Sequence, residues 1–473
     1  MLAAGKGTRM KSERAKVLQE VCGLPLVAYP LGLAATLRSK STVVVVGHQR
    51  EAVEQTVNRF KGKQSVEFAH QREQLGTGHA VMTGMKPLKS HEGPVFILSG
   101  DVPLLRKRTL NQLKKAYEKK GGPLAFVTFT TPEPGGYGRV IRSENNSPVA
   151  IREFRDCSES EKKICEVNAG IYLIDAGFLR RATRNLKSDN AQGEFYLTDL
   201  IEMAAATHDV ATVDAPMAEV SGANDRFDLV MVEHTLRQEI RSKWLAAGVS
   251  IQSPETVHID TDCKIGSDTW IGAAAHLQGS TTVGKGCIIE PGAIIRDSQI
   301  ADNVVIKAYS VLENAKVDSD ATVGPMGRLR PGSHLKKGAH VGNWVELKNT
   351  VLGEGSKANH LTYLGDGEIG KGVNIGAGCI FCNYDGFLKH KTIIEDNVFV
   401  GSDSQMVAPV IIRKGAYVAT GTTVTGEVPA NAMAISRGRQ INRNGLALKI
   451  RKRLKEAKKE LQKKRGTESG TKK

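Results

Sequence analysis

The chain has 473 residues, of which 40% are hydrophobic and 25% charged, and a formal net charge of +16. That is the composition of a globular protein long enough for two or three domains with buried cores, and it excludes a chain disordered throughout. The start, MLAAGKGTRMKS, has no apolar core of signal-peptide length, and no stretch approaches the roughly 18 apolar residues of a membrane span, so a cytoplasmic protein is expected.

Taken from the start, Leu2 to Met10 (LAAGKGTRM) form a Gly-rich turn whose backbone amides can approach phosphates, with Arg9 and Lys16 supplying charge. Short β-rich runs follow at 42–47, 94–101, 123–129 and 168–175, separated by charged helical stretches, which argues for a mixed, mainly parallel sheet. Residues 71–79 (QREQLGTGH) add amide side chains and a second Gly-Thr turn. Ser99-Gly100-Asp101 ends a hydrophobic strand with a carboxylate, the position from which a divalent metal bridging triphosphate oxygens would be held, although the same residue type also caps turns. Residues 226–247 read as a linking helix, so each half of the chain is expected to work alone.

Beyond that helix an aliphatic residue recurs every six positions: Ile259, Ile265, Ile271, Leu277, Val283, Ile289 and Ile295, then Val317, Val323, Leu329, Leu335, Val341 and Leu347. The phase breaks around 353–366, resumes at Ile369, Ile375 and Phe381, and again at Ile394 through Val424. The period fits short strands joined by tight turns, a parallel β-helix with inserted loops at the interruptions. KANHLTYLGD (357–366) falls where the phase is lost, so His360 and Tyr363 are expected to project from the coil surface. Seven cysteines are scattered as free thiols would be, and Cys379 and Cys382, a C-x-x-C without a second ligand pair, read as buried spacers. Residues 446–473 hold 12 Lys/Arg against 3 Asp/Glu and carry Leu446, Ile450, Leu454, Ala457 and Leu461 at helical spacing, a basic amphipathic helix and tail.

The motifs LAAG, GYGR, IREF, VNAG, NAQGEFYLTD, GANDR and KANHLTYLGD, in this order, closely resemble the family of bacterial bifunctional N-acetylglucosamine-1-phosphate uridyltransferases and glucosamine-1-phosphate acetyltransferases from Leu2 to about Arg437. The resemblance implies a Rossmann-like nucleotidyltransferase domain (1–225), the linker helix (226–247), a left-handed β-helix acetyltransferase domain (248–440) and a basic C-terminal segment (441–473), assembled as a homotrimer. It implies that Leu2, Ala3, Ala4, Gly5, Lys16, Gln71, Gly76 and Thr77 hold the uridine nucleotide, with Arg9 acting on the phosphates beside Ser99 and Gly100. Gly138, Glu153 and Asn168 would contact the sugar, and Mg2+ would sit between Asp101 and Asn224. In the second domain it implies His360 as base with Glu346 orienting it, Arg330, Lys348, Tyr363 and Asn374 on the amino-sugar phosphate, and Ala377, Asn383, Tyr384, Ser402, Thr420 and Arg437 along acetyl-CoA. The implied substrates are glucosamine 1-phosphate, acetyl-CoA, N-acetylglucosamine 1-phosphate and UTP; neither a membrane span nor a nucleic-acid partner is expected.

Three departures stand out. The family's apolar strand ahead of the Gly-rich turn is represented only by Met1, so the first domain is expected to lack that strand. Ala15 replaces a proline before Lys16, and Thr420 a small alanine. Two rival readings are a nucleotidyltransferase whose β-helix serves only assembly, which would lack the His360, Tyr363 and Asn383-Tyr384 set, and a scaffold with a nucleic-acid-binding tail, which the phosphate-binding motifs oppose.

Overall fold

Five consecutive residues, Thr42–Val46, are buried on both faces, as expected of a β-branched strand covered by helices above and below. In the computed structural model, which describes residues 1–468 (side chains to Gln462), the chain forms two units, Met1–Trp344 and Val345–Lys473. The first unit begins β1 (Leu2–Ala3), the hairpin β2 (Glu20–Val21) and β3 (Leu24–Pro25), α1 (Ala28–Thr36), β4 (Thr42–Val46), α2 (Arg50–Phe60), β5 (Val66–His70), α3 (Thr77–Gly84), β6 (Pro94–Ile97) and α4 (Lys107–Lys120). It continues with β7 (Leu124–Thr130), β8 (Arg139–Arg142), β9 (Pro148–Arg152), β10 (Glu166–Asp175), α5 (Ala176–Ala182), α6 (Asp199–Ala205), β11 (Ala211–Asp214), α7 (Met217–Val220) and α8 (Arg226–Ala246).

Strands β1, β4 and β5 are parallel, whereas β10 pairs antiparallel with β6, β7 and β8. Alternation along β7 divides the core: Leu124 and Phe126 enter one apolar cluster, Ala125, Val127 and Phe129 the other. The two groups of strands are stitched at β1, where the Leu2 N–H donates to the Leu98 carbonyl (2.8 Å) and the Gly100 N–H to that of Leu2 (2.9 Å). The space continuing the line of β1 between β4 and β6 is a cavity of about 500 Å3, lined by Met1, Ala34, Val43, Val45, Val95 and Ile97 among others. The Met1 amine donates to the Val43 carbonyl (2.8 Å), and burial pushes its pKa down to about 5.

Helix α8 starts at Asp225, whose side chain accepts from the Asp228 N–H, and buries Leu229, Val232, Leu236, Ile240 and Trp244. The α/β domain is tied to the first coil behind it: Thr261 N–H donates to the Cys22 carbonyl (3.0 Å), Tyr29 Oη lies 3.0 Å from Thr261 Oγ1, and Arg241 donates to the Pro254 carbonyl (2.7 Å).

From Ser250 onward the chain is a parallel solenoid of strands two to four residues long, stacked coil on coil in three sheets. Every aliphatic residue of the hexad register is buried. The apparent gap between Ile295 and Val317 is filled, because Ile300, Ile306 and Leu312 are buried in the same stack. Steps from Ile295 to Ile300 and from Leu312 to Val317 are one residue short, which hides the repeat from a strict count of six. Corners use left-handed residues, and at Gly266 a Cβ would come within 2.6 Å of the Gly284 backbone on the next coil, so only glycine permits that approach.

The second unit continues the solenoid architecture, with Glu346–Lys348, Tyr363–Gly365, Ile380–Cys382, Gln405–Val407 and Thr423–Val424 stacked in one sheet. Here one expectation is corrected. Residues 353–366 are no loop insertion: Leu352, Ala358, Leu364 and Ile369 stay in the buried stack, again with five-residue steps. The excursion lies later, between Cys382 and Thr392. Cys379 is buried as expected, but Cys382 is exposed. An exposed segment leads from the last coil to α9 (Leu446–Glu468).

Candidate functional site

The Gly-rich turn leaves β1 at Ala4, whose carbonyl accepts from His48 N–H (3.1 Å) and Gln74 Nε2 (2.8 Å), fixing the path of Gly5 to Arg9. Gly7 is left-handed (φ 64°) and a Cβ there would sit 2.5 Å from Lys16 Cβ, so the turn closes directly over Lys16. Lys16 Nζ forms an ion pair with Asp101 and donates to Asn224 Oδ1 (3.4 Å), which also accepts from Arg9 (3.2 Å). Four residues spread over a span of 215 positions therefore meet at the end of β1. Asn224 is aimed by its surroundings: its Nδ2 donates to the Gly222 carbonyl (3.1 Å), its N–H to Asp228 (3.0 Å), and Ala223 N–H to the Asp101 carbonyl (3.0 Å). Asp228 was not among the residues expected from sequence.

The second turn is clamped from behind. Gly76 (φ 99°) has no room for a Cβ against the Phe195 carbonyl (2.7 Å), Gly78 N–H donates to that carbonyl (2.7 Å), and Thr77 Oγ1 accepts from Leu197 N–H (3.1 Å). Gln71 is buried, with Nε2 on the Gly76 carbonyl (3.2 Å) and beside His79 (3.2 Å). The NAQGEFYLTD segment is thus the wall that shapes the turn at Gly76 and Thr77.

Gly138, Glu153 and Asn168 come together. Asn168 N–H donates to the Gly138 carbonyl (2.9 Å), and a Cβ on Gly138 would meet Ile151 at 2.8 Å and the Glu153 carboxyl at 3.5 Å. Burial raises the Glu153 pKa, against the hydrogen bond from Thr198 (3.0 Å). Asn168 lies before a bulge in β10, its Nδ2 donating to Tyr172 Oη (2.7 Å). The loop before Gly138 is held by Arg139, a fully buried guanidinium that donates to the carbonyls of Pro134 (3.3 Å), Gly135 (3.0 Å) and Tyr137 and lies over the Phe154 ring. Arg139 and Thr198 lie inside the GYGR and NAQGEFYLTD motifs, but their roles, like that of Tyr172, were not expected, because their partners are supplied by the fold.

In the second unit His360 ends the strand Lys357–His360 and Tyr363 begins the next, around a corner where Leu361 is left-handed (φ 49°). The buried Thr362 fixes that corner by donating to the His360 carbonyl (2.7 Å). The imidazole is exposed and has no hydrogen-bond partner among the described residues, so the expected bond to Glu346 is not formed; Glu346 lies one coil below, in register with Tyr363. Asp366, another residue that sequence reasoning missed, is the hub of this region. It accepts from Asn349 (2.8 Å) and Asn383 (2.5 Å), and Lys348 Nζ lies 3.9 Å away. Burial alone would raise the Asp366 pKa, but those two amides and Lys348 hold it below the ordinary carboxylate value. Tyr363 Oη lies by Gly365 and Asn383: a Cβ on Gly365 would be 2.5 Å from the hydroxyl and 2.7 Å from Asn383 Nδ2. Asn374 sits in register with Lys357 on the adjoining sheet.

Ala377, Ser402 and Thr420 lie on successive coils: Gly376 packs against Ser402 N and Gly401 against Thr420 N, each leaving no room for a Cβ (2.5 Å). Arg437 donates to the Thr420 carbonyl (2.9 Å). Tyr384 projects from the excursion, which Asp385 locks by accepting from the N–H groups of Phe387 (2.8 Å) and Leu388 (2.7 Å) and pairing with His390 (2.7 Å). Arg330, half-buried after the strand Arg328–Leu329, belongs to the first unit.

Fold and site together define a two-part transferase, an α/β nucleotidyltransferase domain followed by a hexapeptide-repeat solenoid. The MobA-like NTP transferase domain family matches residues 1–153, the bacterial transferase hexapeptide (six repeats) residues 262–297, and the hexapeptide repeat of succinyl-transferase residues 391–426. The bifunctional protein GlmU of Pelobacter propionicus is 47% identical over 96% of this chain and 98% of its own, and that of Sorangium cellulosum 44% identical over 97% of each. A UDP-glucose pyrophosphorylase solved with UDP-glucose aligns over 50% of this chain and 97% of its own, with 16% identity and a TM-score of 0.42. The chain belongs to the GlmU family of bifunctional enzymes.

Proposed function

We propose that the chain makes UDP-N-acetylglucosamine in two steps: acetyl transfer from acetyl-CoA to glucosamine 1-phosphate at the solenoid, then uridylyl transfer from UTP to the resulting N-acetylglucosamine 1-phosphate at the α/β domain. The observation that carries it is the presence, in a chain matched over 96% of its length by a bifunctional relative, of the Arg9, Lys16, Asp101 and Asn224 cluster under a Gly-rich turn and, in the second unit, of an exposed imidazole and the charged hub at Asp366.

In the first step the C–S bond of the thioester breaks and an amide C–N bond forms. The His360 imidazole takes the proton of the attacking sugar amine and returns it to the departing thiolate, so that coenzyme A leaves as the thiol. Lys348 neutralises the sugar phosphate, Tyr363 and Asn374 orient the ring, and the column Ala377, Ser402, Thr420 with Arg437, Asn383 and Tyr384 lies along the coenzyme. In the second step an oxygen of the sugar phosphate attacks the α-phosphorus of UTP and pyrophosphate leaves. Arg9 and Lys16 offset the negative charge that gathers there, while Gly138, Glu153 and Asn168 place the sugar.

Asp101 and Asn224 would hold Mg2+, an oxygen-only donor pair of the kind that cation takes together with substrate phosphates; the Lys16 ammonium bonded to both side chains marks a place where positive charge is already stabilised. When bound, the ion neutralises triphosphate oxygens. A homotrimer suits a solenoid whose exposed sheet residues include Ile380, Phe399, Tyr417 and Met433. A cytoplasmic location accords with the described residues, of which no helix is long and apolar enough to cross a membrane.

The test is thiol release from acetyl-CoA with glucosamine 1-phosphate, and pyrophosphate release from UTP with N-acetylglucosamine 1-phosphate, on the full chain. Turnover in both is expected; pyrophosphate release alone would leave the solenoid an assembly module and overturn the reading.

A further inference from the structure

None of the residues assigned above to either reaction lies on the C-terminal helix α9 (Leu446–Glu468). Among the described residues, no hydrogen bond or ion pair ties it to another element; its bonds are local, Leu446 N–H to the Arg443 carbonyl and Lys449 N–H to that of Gly445. Its apolar side chains are correspondingly bare, Leu446 at 40%, Ile450 at 49%, Leu454 at 62% and Leu461 at 61% exposure. Successive residues turn by about 100° on a helix, so Leu446, Ala447, Ile450, Leu454, Ala457 and Leu461 fall within roughly 100° of its circumference, a continuous stripe. Leu448 is the one apolar residue off it.

The charges are arranged around that stripe. Arg451 and Lys458 border one side; on the other, Arg453 and Lys449 alternate with Glu460 and Glu456; Lys452, Lys455 and Lys459 lie on the opposite face, and between Leu446 and Gln462 there are seven Lys/Arg against Glu456 and Glu460. A helix that packs on a second copy of itself carries flanks of alternating sign, whereas here one flank is wholly cationic and the excess of Lys/Arg over Glu repels a like helix. Binding to nucleic acid needs the cations but gives the stripe no role. A face of Leu and Ile bordered by long cationic side chains is suited to lying at the edge of a bilayer, the apolar residues among acyl chains and the cations reaching up to anionic headgroups. The exposed segment 437–444 and Gly445 (φ 76°) ahead of the helix contribute no packing that would cover it.

We propose that α9 is an interfacial anchor that places this enzyme reversibly on an anionic lipid surface. The full chain is expected to sediment with vesicles of phosphatidylcholine containing about one-third phosphatidylglycerol and not with phosphatidylcholine alone, and to be released by salt. Neutralising three cations (Lys455→Gln, Lys458→Gln, Lys459→Gln) should weaken binding about 10²-fold. Removing the stripe without changing charge (Ile450→Gln with Leu454→Gln) should weaken it at least about tenfold, with both transfer activities unchanged. Failure to sediment overturns the proposal. So does undiminished vesicle binding by the stripe variant, which would leave only charge adhesion, displacement by single-stranded RNA from a site that prefers it, or a fall in oligomeric mass on losing the stripe, which would assign that face to a second copy.

Discussion

The two proposed sites face the same task, holding a sugar phosphate beside a co-substrate, with opposite architectures. At the α/β domain, Arg9, Lys16, Asp101 and Asn224 arrive on four separate segments and meet only because β1 stitches the β4 and β6 sides together. In the solenoid, Ala377, Ser402 and Thr420 are stacked by the repeat itself, each one coil from the next. The first kind of site depends on contacts between segments far apart in the chain; the second depends on local backbone geometry that the coils reproduce. Damage should therefore spread differently in the two.

The largest expected effect is at the assembled site. Asp101→Ala leaves Lys16 without its counter-charge and removes a phosphate-side ligand, and should lower pyrophosphate release by about 10³-fold or more while acetyl transfer proceeds at its usual rate. Equal loss of both activities would erase the contrast between the sites.

His360→Ala removes an exposed ring whose corner is fixed by Thr362, so the solenoid should keep its melting temperature while acetyl transfer falls by about 10²-fold or more. Near-parental thiol release would take the base role away from His360.

Asp366→Asn tests whether the solenoid also has a point at which damage spreads. It leaves the Asn349 and Asn383 amides and the Lys348 ammonium without their shared anion, and should cost about 2 kcal/mol of stability, read as a lower melting temperature, together with a raised KM for glucosamine 1-phosphate. The folded carboxyl titrates below the unfolded one, so its contribution is full above the unfolded value and is lost as pH falls through the depressed one. The variant should show a shallower loss of stability with acid; a parental acid limb would show that the hub carries no such charge.

The smallest effect sharpens the comparison from the other side. Ala34→Leu extends α1 into the 500 Å3 cavity beside β1 and should stabilise the first domain by up to about 1 kcal/mol, seen as a higher midpoint in urea for that transition. A lowered midpoint would mean that the cavity walls cannot accept the added methyl groups.

Much of this was legible because repetition and turn chemistry are local. The six-residue aliphatic stack announced the solenoid, and the Gly-rich turn, Asp101 and the motif around His360 announced the residue types the chemistry needs. The same counting misled where coils are one residue short: a strict period lost Ile300, Ile306, Leu312, Leu352 and Leu364, and turned a continuous coil at 353–366 into a loop. A parallel stack tolerates a shorter corner so long as each aliphatic residue still lands on the one below, and a fixed period cannot express that.

What the sequence determined by itself, then, was the succession of an α/β domain, a long helix and a solenoid, since β-branched runs, helical spacing and hexads each fix their element through near-neighbour sterics and burial. Only the tertiary structure decided that Asp366 gathers Asn349, Asn383 and Lys348 in the second unit, that buried Arg139 holds the Gly138 loop by carbonyl oxygens, and that the Lys16 ammonium lies between Asp101 and Asn224. Each of these is a contact between residues far apart in sequence, set by burial and electrostatics that exist only once the chain has closed on itself.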